Sequence, residues 1–499
     1  MRILLLEHPR SIAPDRCNDI ANTPLSSCLI SGYVAGMLRS RGHEAEILEG
    51  YLDRLGYAEI EARIREYAPD MLGVHMVYHW RQDLELSEFL SRLKRHKVAS
   101  HMLAYGFYAT ISPGNIMGQC PAVDAVILGE AEAPFAAVAE SLAAGSGIPP
   151  VPGLAVRSVS GGCEINNPEP VRDLDTIPYP VRTEALYRLP EVNILGSRGC
   201  YGSCTFCYVN AYHGRGLPWR GRSPENIAQE IASIISTTGK RNFYFTDPNF
   251  FGPGQQGQER ALRIASLLEP MNIHFGIEGR VNDIRDLTIA ALARAGLRNI
   301  LIGLESGRDE ALRRMNKMTT VAQNEEALRV LRRHGIEPNV GFIMFEPDSS
   351  LEDIRMNFEF LRRNGLLKNL SVTANVLYHH QIVLEGTEAY NSLRRQGRLE
   401  LQGSVYEGSA SFSSTDVSVL AEIMRQITNF LFLRMESIWS GSAVDLPGAR
   451  KRYEEVNRLL VAAFEEVLCS LERGNMLSEA EASLIIENVR SGIEAALTI

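Results

Sequence analysis

From Val192 onward the chain repeats one pattern six times, a short apolar strand followed by a helix, and this repetition limits the possible folds more than any other feature. Strands are expected at Val192–Leu195, Asn242–Thr246, Ile273–Glu278, Asn299–Leu304, Asn339–Met344 and Leu370–Val376. Strands joined through helices run parallel, so six βα units imply an open partial barrel, a (β/α)6 arrangement whose chemistry gathers at the carboxyl ends of its strands. The helix after the first strand carries its own punctuation: Ser223 as cap, Pro224 in the first turn, Glu225 at the positive end and Gly239 at the stop. Ile227, Ile231, Ile234 and Ile235 supply its buried stripe.

An earlier series alternates in the same way. Strands at Arg2–Glu7, Glu44–Leu48, Met71–His75, Met102–Tyr105 and Ala125–Leu128, with a helix near Leu29–Arg41, predict a Rossmann-like, doubly wound parallel sheet with helices on both faces. A Gly- and Pro-rich stretch follows, containing Gly-Ile-Pro-Pro-Val-Pro-Gly, and reads as a linker with some strand character. Beyond Gly386 the strand signal fades, and Leu420–Trp439, Arg450–Arg473 and Ser478–Leu497 read as amphipathic helices. The expected α/β organisation is a Rossmann-like domain over 1–145, a linker over 146–185, the partial barrel over 186–385 and a helical domain over 386–499.

At 499 residues, two or three domains are expected. The opening apolar run is cut short by Glu7 and Pro9, too early for a signal peptide or a membrane span, which places the chain in the cytoplasm. A net charge of −9 with no terminal cluster of Lys and Arg argues against a nucleic-acid partner and for a small-molecule or peptide substrate. Of the eight cysteines, Cys17, Cys28, Cys120, Cys163 and Cys469 have no partner at ligand spacing and read as small, semi-buried residues.

The remaining three are different. Ser197-Arg-Gly-Cys200-Tyr-Gly-Ser-Cys204-Thr-Phe-Cys207-Tyr places three cysteines at CxxxCxxC spacing directly after a predicted strand. Three thiolates on one loop can ligate three irons of a cubane cluster, leaving the fourth iron open to an exchangeable ligand. The competing reading is a zinc site, which needs a fourth ligand such as His213.

Cys200, Cys204, Phe206 and Cys207 match the signature of the radical S-adenosylmethionine (SAM) superfamily, and the chain resembles that family further along its second half. Phe245-Thr-Asp247-Pro-Asn249-Phe250 resembles the family's second-strand segment, with its commoner Gly-Gly-Glu replaced. Gly303-Leu-Glu305-Ser306-Gly307, followed by Leu312, Met315 and Lys317, resembles the GxESG stretch of B12-linked and methylthiotransferase-like members. The resemblance implies a [4Fe–4S] cluster on Cys200, Cys204 and Cys207, with SAM chelating the open iron and yielding methionine and a 5′-deoxyadenosyl radical. It also implies that Phe206, Tyr208, Asp247, Arg280, Glu305 and Ser306 surround SAM. Asp247 and Glu305 could equally cap the helices that follow them, and Arg280 and Arg222 could be surface residues.

The first half resembles the cobalamin-binding domain of the B12-dependent class. The matching pieces are Pro24-Leu25 before a helix, Pro69-Asp70-Met-Leu-Gly73 on a strand, Tyr105-Gly106 before Thr110, and the run from Asp124 to Gly129, Glu130 and Glu132. Gly106, Thr110, Gly129 and Glu130 are thereby implied at cobalamin, with the corrin between the first sheet's carboxyl edge and the barrel mouth. Two departures stand out. The Asp-x-His-x-x-Gly motif that supplies an axial histidine is absent, although His75 and His79 lie near the third strand, and the family's Gly-Gly after the fourth strand is Tyr105-Gly106, which narrows the space for the corrin or its nucleotide tail.

The resemblance implies a B12-dependent methyltransferase acting on a small-molecule or natural-product intermediate, with a flavodoxin or ferredoxin as electron donor. A radical cyclisation, ring contraction, dehydration or rearrangement, with or without B12, is the alternative, and a non-enzymatic metal-binding module is a third. Candidate substrate-facing residues at the barrel mouth are Tyr212, His213, Tyr378, His379 and His380. No catalytic residue beyond the cofactor ligands is singled out.

Overall fold

A computed structural model describes residues 1–9, 27–76, 84–158, 162–214, 219–401, 407–434 and 449–498. Cys17, Pro24, Leu25, His79 and the side chain of Cys28 lie outside the described residues.

The first sheet has seven strands in the order β2-β1-β3-β4-β5-β6-β7. Arg2–Glu7 (β1), Glu44–Glu49 (β2), Met71–His75 (β3), His101–Tyr105 (β4) and Ala125–Ile127 (β5) are parallel, the doubly wound core expected. Leu154–Arg157 (β6) and Cys163–Ile165 (β7), in the stretch read as linker, extend this sheet antiparallel. The apolar run of β1 serves both faces. Leu4 and Leu6 pack with helices Tyr57–Tyr67 and Leu84–Arg95, whereas Ile3 and Leu5 pack with helices Ser27–Ser40 and Glu132–Ala143.

The second sheet is also parallel, with five strands ordered β14-β13-β12-β11-β8. Its members are Val192–Ile194 (β8), Asn242–Phe245 (β11), His274–Arg280 (β12), Leu297–Glu305 (β13) and Asn339–Phe342 (β14). Ser197–Gly199 (β9) and Trp219–Gly221 (β10) form an antiparallel pair beside it. The helix after β8 is Pro224–Thr238; Ser223 accepts from the Asn226 N–H at 3.1 Å, and Gly239 ends it at φ 71°.

The sixth strand differs from expectation, because Leu370–Tyr378 is a helix. Asn369 caps it by accepting the Ser371 N–H at 2.9 Å, and Leu370, Ala374 and Leu377 lie on one buried helical stripe. The sixth rung survives just beyond as an isolated parallel bridge between Phe345 and His380. There the Phe345 N–H donates to the His379 carbonyl at 3.1 Å and the Gln381 N–H to the Phe345 carbonyl at 2.9 Å.

The tail also holds a small antiparallel sheet that the sequence reading missed, Val383–Leu384 (β15), Leu399–Leu401 (β16) and Glu407–Ala410 (β17). Helices Thr415–Arg434, Ala449–Glu472 and Glu479–Thr498 follow. These helices share the barrel's core rather than building one of their own: Leu420, Met424, Leu460 and Phe464 pack with Phe345, Phe358 and Leu377. Phe358 and Phe464 stack at 5.0 Å. Among the described residues, no helix is long and apolar enough to cross a membrane.

Candidate active site

The three cysteines lie on the loop that leaves β9, at the carboxyl end of the barrel sheet. Two neighbours of the loop hold its shape: the Thr205 N–H donates to the Met315 carbonyl at 3.0 Å, and Asn210 donates to the Gly202 carbonyl at 2.8 Å. Phe206 anchors the loop by packing on Ala311, Met315 and Ile343. Cys204 and Cys207 border an open cavity of about 380 Å³ that Gly386, Thr387 and Glu388 also line.

Burial pushes the Cys207 thiol up to about 12 and raises that of Cys200, so both are thiols until a metal displaces their protons. Arg280, ending β12, donates to the Cys204 sulfur at 3.3 Å and to the Lys317 carbonyl at 2.5 Å, and its guanidinium lies over the Tyr201 ring. Gly202 makes this approach possible, because a Cβ there would lie 2.1 Å from Arg280 Nη1. Among the described residues, no three His, Cys, Asp or Glu side chains converge on the space of one metal ion, the arrangement a lone zinc requires. Three cysteines on one loop, two of them bordering a cavity and one with a cation against its sulfur, fit a cubane cluster instead.

Glu305 ends β13 at φ 63°, a left-handed conformation rare for a residue with a Cβ. Its side chain folds back over Gly303, where a Cβ would lie 2.3 Å from Oε1, and receives Lys317 Nζ at 2.7 Å. The Glu305–Lys317 pair therefore sits with Arg280 in the wall beside the cysteine loop. The other expected SAM neighbours are placed differently. Ser306 donates to Asn357 Oδ1 at 2.7 Å and accepts the Arg308 N–H at 3.1 Å, so its hydroxyl is used within a turn. Asp247 is fully buried and accepts the Gly196 N–H at 2.6 Å, and burial lifts its carboxyl to about 6. Its second oxygen, Oδ2, has no hydrogen-bond partner. Arg222 binds Glu230 Oε2 at 2.5 Å and the Leu195 carbonyl at 3.0 Å, anchoring the first barrel helix rather than the cysteine loop.

Tyr208 turns toward the first domain, its ring edge-on to Phe107 at 4.8 Å. Phe107 and Tyr212 approach to 4.2 Å, and these three rings with Leu29, Ile30 and Tyr33 line a cavity of about 90 Å³ between the two sheets' carboxyl edges. Gly106, at φ 108°, leaves β4 beside it, and Thr110 ties the β4 and β5 loops by accepting the Gly129 N–H at 2.8 Å. The aromatic side of this cavity fits the edge of a planar macrocycle, and Glu130, Glu132 and Arg198 also line it.

Glu130 does something the sequence did not reveal. Its carboxylate joins Arg220 at 2.5 Å, His213 Nδ1 at 3.2 Å and Arg198 at 3.4 Å, and accepts the Val171 N–H at 3.0 Å. Glu132 takes Arg198 at 2.5 Å. This buried clasp fixes the first domain to the strand that leads into the cysteine loop, since Arg198 lies two residues before Cys200. Burial alone would raise the Glu130 carboxyl, but Arg198, His213 and Arg220 outweigh it and hold it well below the ordinary range. His213 is thus a clasp member, and Tyr378, packed on Phe432 at 5.6 Å, belongs to the core. His380 sits between Phe345 and Phe412, and both it and His379, which lies near Glu305, are partly exposed. Acidic residues following a glycine after the fifth strand and an arginine just before the first cysteine were the available signals for the clasp.

Comparison with known proteins accounts for this combination of two sheets and one cysteine loop. The model of the radical SAM superfamily matches residues 194–361, and that of the B12 binding domain matches residues 31–139. The chain thus carries a radical SAM domain and a B12-binding domain, and is an enzyme whose cofactors are a [4Fe–4S] cluster, SAM and cobalamin. An uncharacterized methyltransferase of Pyrococcus horikoshii is 25% identical over 73% of this chain and 78% of its own length. The anaerobic magnesium-protoporphyrin IX monomethyl ester cyclase of Synechocystis is 28% identical over 67% of each. Among solved structures, the cobalamin-dependent SAM radical enzyme OxsB with aqua-cobalamin bound superposes with a TM-score of 0.81, covering 100% of this chain and 80% of that one at 18% identity.

Proposed function

We propose that this chain is a methyltransferase that modifies a carbon of a small-molecule biosynthetic intermediate. The observation that carries the reading is the buried clasp of Glu130 and Glu132 with Arg198 and Arg220, which locks the cobalamin-class sheet against the strand entering the cysteine loop. Two cofactor platforms fixed edge to edge suit a reaction in which one generates a radical and the other delivers a methyl group. The similarity to the Pyrococcus methyltransferase supports the same reading.

In this proposal Cys200, Cys204 and Cys207 hold the cluster, and Arg280 balances its negative charge through the Cys204 sulfur. Glu305, held by Lys317, offers its carboxylate to the ammonium or hydroxyls of SAM. Phe206 keeps the loop seated. Phe107, Gly106, Tyr208 and Tyr212 bound the corrin's edge, and Thr110 and Gly129 hold the two loops that frame it. The bound cofactors supply a deoxyadenosyl radical and a transferable methyl group. The protein's own part is to align them and to exclude water and stray hydrogen donors. The electron donor, a flavodoxin or ferredoxin, would approach on the side of exposed Ser203.

Reaction with SAM bearing a trideuterated methyl group tests the reading, with label in the product expected. The cyclase relative favours a second reading, ring formation without methyl transfer, and an unlabelled product would select it. Cys200→Ala, Cys204→Ala and Cys207→Ala should each abolish iron binding and deoxyadenosine formation; a variant retaining both would remove the basis of the proposal.

A further inference from the structure

At the carboxyl edge of the first sheet, β1, β3 and β4 end in a row of polar side chains on one face. Register places Leu6 beside Val74 and His75 beside Tyr105, so Glu7, His75 and Tyr105 stand side by side. The alternation along β1 puts Glu7 on the face of Ile3 and Leu5, under helices Ser27–Ser40 and Glu132–Ala143. All three, with Ser31 from the first of those helices, are wholly buried.

The members of the row bond to one another. His75 Nδ1 lies 2.8 and 2.9 Å from the two Glu7 oxygens, Ser31 bonds to Glu7 Oε1, and the Ser31 and Tyr105 hydroxyls are 2.6 Å apart. The His75 ring stacks on Tyr105 at 5.2 Å, and Phe135 meets Tyr105 edge-on at 5.6 Å. Two glycines allow this density. A Cβ on Gly73 would lie 2.7 Å from both Leu5 and Phe135, and one on Gly106 would lie 2.6 Å from His75.

Cobalamin consists of a corrin ring and a dimethylbenzimidazole nucleotide tail, and the two make separable demands on a protein. We propose that this chain holds its corrinoid by the ring alone, because Glu7, His75 and Tyr105 fill the space between sheet and helices and keep the nucleotide tail outside. Tyr105 is decisive: its ring occupies the layer that a glycine at this position would leave open. The proposal rests on the cobalamin assignment and specifies which part of that ligand the fold recognises.

Full-length protein is titrated anaerobically with cobalamin and, separately, with cobinamide, which lacks the nucleotide, and binding is followed by the absorption of the cobalt chromophore. The two dissociation constants should agree within about threefold. The double variant Tyr105→Gly with His75→Ser empties the layer and should prefer cobalamin to cobinamide by about tenfold or more, while Tyr105→Phe keeps the ring and should behave as wild type. The wild-type comparison decides alone should the double variant fail to fold. A wild-type preference for cobalamin of about tenfold or more overturns the proposal and leaves the cobalamin assignment standing. Binding of neither corrinoid overturns both.

Discussion

Replacing Glu130 with alanine should loosen the joint between the two sheets. The carboxylate is 3% exposed and faces Arg220, Arg198 and His213. Arg198 retains Glu132 at 2.5 Å, but among the described residues Arg220, 6% exposed, is left with the Val171 carbonyl as its acceptor. Removing one partner of a buried ion pair costs about 3–5 kcal/mol, because the other charge stays desolvated. Glu130→Leu with Arg220→Met should recover about 1–3 kcal/mol of that loss, the coupling expected of contacting residues. The pH dependence follows from two depressed values. Glu130 is held below its ordinary range, so its contribution is complete at neutral pH and fades only in strong acid. His213 is lowered, by burial above all, so it folds neutral, and stability falls as pH drops below the ordinary histidine value of about 6.5. Without Glu130, His213 loses the neighbour that favours its charge, so the variant should lose more stability than wild type between pH 7.5 and 5. Equilibrium urea unfolding at both pH values measures this. A loss under about 1 kcal/mol at pH 7.5, the size of an exposed pair, would refute the reasoning.

Gly202→Ala would drive a methyl group into the Arg280 guanidinium, and the displaced contact should cost about 1–3 kcal/mol and lower iron retained per chain after reconstitution. Lys317→Met leaves the Glu305 carboxylate, 8% exposed, without its ammonium; a loss of about 1–3 kcal/mol in urea unfolding is expected, together with slower deoxyadenosine formation. Asp247 has a folded value raised to about 6, so it binds protons more tightly folded than unfolded and its destabilising effect grows as pH rises from the ordinary carboxylate range through 6. Asp247→Asn should remove that slope, which urea midpoints at pH 5 and pH 8 would reveal.

What the sequence made legible and what it hid follow from the range of the interactions involved. The β1 run Ile3-Leu4-Leu5-Leu6 could be read at once, because a strand buried on both faces has no polar side. Leu370–Val376 misled because Leu370, Val372, Ala374 and Val376 alternate like a strand, while Leu370, Ala374 and Leu377 also fit a helix. The Asn369 cap and the packing of Leu377 against the tail helices decide for the helix. The cysteine loop was legible because its three ligands lie within eight residues, so spacing alone states the chemistry.

Glu130 and Ser306 sit inside recognisable motifs, yet the partners that define them are 90 and 51 positions away, and no local pattern encodes such a meeting. The same holds for Tyr105. As a residue it merely replaces a glycine, and only the convergence of Glu7, Ser31, His75 and Phe135 around it turns that replacement into a closed wall. Where a motif keeps its chemistry but changes its volume, the consequence for ligand choice lies in the packing behind it. A fold shared with a cobalamin-bound enzyme at a TM-score of 0.81 therefore does not by itself fix which portion of that cofactor the protein holds.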